Sequence, residues 1–97
     1  MRNLNGACGR SSAVQRETTP YAGYTRKTLK QFVAIRVENG QALYFTLVSA
    51  GVRVLIIAGP HAWANGEPDT LYIAFTFEKD PSSIYKVAEG DFYAATR

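Results

Sequence analysis

Ninety-seven residues leave room for one domain, and a composition 46% hydrophobic, 12% aromatic and 20% charged belongs to a chain that folds rather than to a disordered one. The lone Cys8 excludes an internal disulfide and cannot by itself build a zinc site. The net charge of +3 is unevenly divided: residues 1–30 hold six basic side chains against Glu17, whereas residues 31–97 hold five against seven acidic ones. A basic leading segment before a mildly acidic body suits an acidic partner, either nucleic acid or the acidic surface of another copy.

In chain order, residues 1–24 are rich in Ser, Thr, Gly, Asn and Arg and show no apolar period of two or 3.6. They read as an extended basic N-terminal arm, with a β-domain over 25–97. The start of the chain lacks the apolar core of a secretory signal, and its longest apolar run, "VLIIAG", is too short to span a bilayer. The expectation is therefore a protein with no membrane partner, not secreted through a signal peptide, and residing in the cytoplasm or within an assembled particle. "TRKTLK", Thr25 to Lys30, is the extended lead into a first strand at Gln31 to Glu38. Asn39-Gly40 then predicts a two-residue hairpin, because both turn positions need positive φ. A second strand follows at Gln41 to Ser49, a turn at Ser49 to Gly51, and a third strand at Val52 to Ala58.

"GPHAWANGEPD", Gly59 to Asp69, reads as a long loop, and Thr70 to Glu78 as a strand that sets Leu71, Ile73, Phe75 and Phe77 against Thr70, Tyr72, Ala74 and Thr76. "KDPSS" reads as a polar turn, since Pro81 cannot donate to a ladder. The tail predicts two short strands around Gly90-Asp91, with a helix over Ser83 to Glu89 as the alternative. Six short strands without a long helix imply an all-β fold, a small antiparallel barrel or sandwich.

The first three strands are apolar on both sides. Val33, Ile35 and Val37 stand against Phe32, Ala34 and Arg36. Leu43, Phe45 and Leu47 stand against Ala42, Tyr44, Thr46 and Val48, and Val52, Val54 and Ile56 against Arg53, Leu55 and Ile57. A one-sided sheet should alternate cleanly, and near-continuous apolar runs belong to strands covered on both faces. So short a chain can cover one face, which leaves the arm, another copy or a different protein for the second.

No motif in the sequence carries catalysis, a metal, a small-molecule substrate or a cofactor. His61 is the sole histidine and has no Ser, Cys or second His at a spacing that completes a triad or a metal site. Glu67 and Asp69 read as solvated loop carboxylates, and the arm gives Cys8 only Arg2 and Arg10 as neighbours. Trp63 suits either an interface anchor or a plug over the β-core. With Tyr21, Tyr24, Arg16 and Arg26 it forms the expected protein-contact set. The sequence thus favours a non-enzymatic structural or assembly protein, a homo-oligomer or a subunit of a larger assembly. Compact β-domains with such arms occur in virus and phage particles, an analogy of architecture alone. One alternative is a small single-stranded nucleic-acid binder resembling an OB barrel, with Tyr44, Tyr72, Arg36 and Arg53 as its platform and Lys27 and Lys30 on phosphate. The other is a small protein inhibitor of another macromolecule that uses the Trp63 loop.

Overall fold

A computed structural model describes residues 22–97; Cys8, Arg16 and Tyr21 lie outside the described residues, as does most of the segment read as an arm. The strands are β1 (Thr25–Lys27), β2 (Phe32–Glu38), β3 (Gln41–Val48), β4 (Arg53–His61), β5 (Tyr72–Phe77) and β6 (Asp80–Ala88). One short helix follows, α1 (Glu89–Ala95). The all-β expectation holds. The six strands form a single antiparallel sheet in the order β1-β4-β5-β6-β2-β3, which is neither a closed barrel nor two stacked sheets. None of the described helices is long and apolar enough to cross a membrane.

The Asn39-Gly40 hairpin forms as its sequence requires, with φ of 54° and 79° at the two turn residues. Elsewhere the strands depart from the sequence reading. β4 runs on to His61 through two register irregularities against β5, so that the front of the expected long loop belongs to the sheet. The polar turn is shorter than expected: Glu78 and Lys79 make it, and β6 already starts at Asp80, paired with Phe77. Pro81 is tolerated because β2 pairs with β6 only over Ile84 to Lys86, leaving no β2 carbonyl that needs a proline N–H.

The tail also differs. β6 continues to Ala88, and the chain then turns into α1 rather than into a second short strand. Glu89 and Asp91 lie in the first turn, where negative charge suits the helix dipole, while Phe92 and Ala95, three residues apart, are buried together. That helix covers one face of the sheet. Phe92 is fully buried, 5.6 Å from the Phe75 ring and 6.5 Å from Phe32. Around it lie Ala34, Val48, Val54, Ile56, Ile73, Tyr85 and Val87. Burial of an aromatic side chain on this scale contributes roughly 2–3 kcal/mol.

The covered face is not the more apolar side of every strand. β4 turns Val54 and Ile56 inward, but β2 and β3 turn in Ala34 and Val48, with Phe32 packed beside them. The richer row of the β2–β3 hairpin therefore points the other way.

Candidate interaction surface

On the second face the register places Val33 opposite Leu47 and Ile35 opposite Phe45. Register slips by one residue between Arg36 and Val37, so Leu43 is the extra residue of a bulge in β3. Val33, Leu43, Phe45 and Leu47 are 54%, 47%, 75% and 59% exposed. Four large apolar side chains within one hairpin make a contiguous patch, which on a soluble domain marks a contact surface more often than scattered single residues do.

The rest of this face is partly closed by the loop after β4. Trp63 lies edge-on to Tyr72 at 5.3 Å and donates through Nε1 to the Gly40 carbonyl at 3.1 Å; with Val37 and Ile35 these rings form a second small core. Trp63 is thus packed as a plug, only 9% exposed. The Tyr72 hydroxyl in turn accepts from Glu67 N–H at 2.8 Å and fixes the loop. Glycine suits position 66, since a Cβ there would run into the Tyr72 ring.

Between the plug and the apolar patch runs a groove of about 330 Å³ with Val33, Ile35, Phe45 and Tyr72 among its walls and Glu67, Asp91 and Lys86 as its charged groups. Lys86 stands 4.9 Å from the Trp63 ring centroid, a cation–π distance, and burial lowers its pKa from the ordinary lysine value. His61 ends β4 opposite Tyr72; burial first and the Lys86 charge second hold its pKa below 6.5. His61 has no metal-binding cluster about it: among the described residues no group of three His, Cys, Asp or Glu side chains is placed to hold an ion.

The other residues singled out from the sequence are dispersed. Arg36 donates to the Tyr44 hydroxyl at 2.7 Å on the helix-covered side of β2 and β3, whereas Tyr72 and Arg53 belong to the opposite face, and Tyr72 is buried. The four do not share a platform. Arg53 is held by Glu78 at 3.0 Å and by Thr25 Oγ1 at 3.0 Å. Lys27 is exposed in β1 and Lys30 in the turn that follows.

Tyr24 is exposed, while its carbonyl accepts from Ile56 N–H at 2.8 Å. Arg26 turns inward: Nε donates to Thr96 Oγ1 at 2.7 Å, Nη2 donates to the Thr96 carbonyl at 3.1 Å, and the guanidinium lies 4.8 Å from the Tyr93 ring centroid. These contacts serve the fold. Sequence reasoning passed over Val33, Leu43, Phe45 and Leu47 as site residues, although their period-two spacing on the strongest hairpin was the available signal.

Comparison with known proteins finds no matching family model, no similar curated protein and no similar solved structure.

Proposed function

We propose that this protein is a non-enzymatic structural or assembly protein that associates through the open face of its sheet, with the basic N-terminal segment as an additional contact. The exposed row Val33, Leu43, Phe45 and Leu47 carries this reading. Apolar burial there supplies affinity, and the basic residues near the N-terminus orient the neighbour by attraction to its acidic body. Light scattering of the full-length chain at low and moderate salt tests it. A mass above that of one chain is the expected result, reduced by Phe45→Asp and by deletion of residues 1–21. A single-chain mass at every concentration overturns it.

A second reading, single-stranded nucleic-acid binding, is favoured by one feature. Lys27, Arg53 and Lys79 surround an apolar groove of about 350 Å³ that includes Val52 and Phe77. Cations beside an aromatic ring suit a phosphate and a stacked base. Salt-dependent binding of an oligonucleotide, lost in Lys27→Ala/Lys79→Ala, would favour this reading over the first.

A further inference from the structure

The sheet has two edges, and the chain treats them differently. β1 pairs with β4 on one side, and on its other side Ala95 to Arg97 bond to the stretch from Lys27 to Leu29. Lys27 N–H donates to the Arg97 carbonyl at 2.9 Å, Arg97 N–H returns a bond to the Lys27 carbonyl at 2.8 Å, and Thr28 bridges Thr96. Among the described residues, β3 forms the other edge and pairs only with β2. It is eight residues long, "QALYFTLV", without a charge or a proline. Charges, prolines and short length are the usual protections of an exposed edge, and β3 has none of them; its bulge at Leu43 disturbs only the end near the hairpin turn.

We propose that the regular part of β3, Tyr44 to Val48, pairs antiparallel with the same strand of a second copy about a two-fold axis at Thr46. This inference rests on the assembly reading above and deepens it by naming the partner and the register. A two-fold perpendicular to the sheet keeps the open faces of both copies on one side, so residues whose numbers share parity stand opposite each other. Thr46 meets Thr46, Phe45 meets Leu47 twice, and Tyr44 meets Val48 twice. Each of these is a favourable cross-strand pair, and no like charges are brought together.

Two further observations select a second copy as the occupant. The edge is uncharged and self-complementary: about Thr46 the exposed Phe45 and Leu47 of one copy lie beside Leu47 and Phe45 of the other, so each covers part of its partner's apolar surface. Closure is the second. A two-fold at β3 uses the same strand on both copies, so the contact closes on itself, and the bonds from Ala95 to Arg97 already occupy the outer side of Lys27 to Leu29; the assembly therefore stops at a pair instead of continuing as a filament.

The test is the self-association constant of the full-length chain and four variants, measured by sedimentation equilibrium. Residues 45 and 47 are exposed, and a cooperative thermal transition for each variant confirms that it folds. The wild type is expected at twice the chain mass. F45K and L47E each weaken association at least about tenfold. The double variant F45K/L47E, which sets Lys opposite Glu across the axis at both positions, recovers association to within about threefold of wild type, whereas F45K/L47K remains single-chain. A dimeric wild type whose F45K/L47E variant associates no better than F45K overturns the register while the assembly reading stands. So does a dimer indifferent to all four variants. A wild type that remains single-chain overturns both.

Discussion

The two edges of this sheet show two ways in which a chain can present unpaired backbone. At β1, the outer side of Lys27 and of Thr28 after it is paired by Arg97 and Thr96, which the Arg26 guanidinium and helix α1 hold in place. At β3, eight uncharged residues stand with one neighbouring strand among the described residues and an apolar row beside them. Edge protection here is tertiary. β1 carries Arg26 and Lys27, the residue types that normally discourage pairing, yet it is the edge that is covered; β3 carries no such residue and stays open.

The paired edge depends most on Phe92, whose ring anchors α1 and with it the C-terminal residues beside β1. Phe92→Ala removes a fully buried aromatic and should cost about 3–5 kcal/mol, read as the unfolding free energy in urea. Deleting Thr96 and Arg97 is a narrower cut. It removes the reciprocal Lys27 bonds and both Arg26 bonds to Thr96, for an expected loss of about 2–4 kcal/mol. It also opens the second edge, so the mass distribution should extend beyond a pair; an unchanged distribution would mean that the C-terminus is not what limits association.

Phe45→Ala sharpens the contrast from the other side. Its ring is 75% exposed, so stability should change by no more than about 0.5 kcal/mol while association weakens. A large destabilisation would show that Phe45 belongs to the core of the isolated chain.

The smallest effect concerns His61, at the far end of β4 from the residues that β1 pairs with. Its folded pKa is held below 6.5, so the unfolded chain binds the proton more readily. This contribution to stability is complete above the ordinary histidine range and is lost as pH falls from about 6.5 through the folded pKa. The thermal midpoint of the wild type should therefore drop on going from pH 7.5 to 5.5 by more than that of His61→Gln. Equal drops would remove His61 as the cause.

Parts of this architecture were legible in the residues. Asn39-Gly40 announced its hairpin, because only residues tolerant of positive φ make a two-residue connection. The alternation of β5 was equally clear, with Ile73 and Phe75 on the helix-covered side and Tyr72 on the other. The helix was hidden, since Gly90-Asp91 has the chemistry of a turn and seven residues give too little periodicity to outweigh it. Pro81 misled because its cost depends on whether a neighbouring strand needs the missing N–H, which only the pairing reveals.

The all-β class, the hairpin and the two-sided apolar character of β2 and β3 are written in the residues, because these follow from local conformational preference and period-two spacing. Only the tertiary structure decided which side of that hairpin is covered. Both sides are apolar enough to be buried, and the choice falls to α1 and to a sheet order that inserts β5 and β6 between β4 and β2. It decided the edges as well: Arg26 and Thr96 are 70 residues apart, and no local pattern in either segment records that they meet.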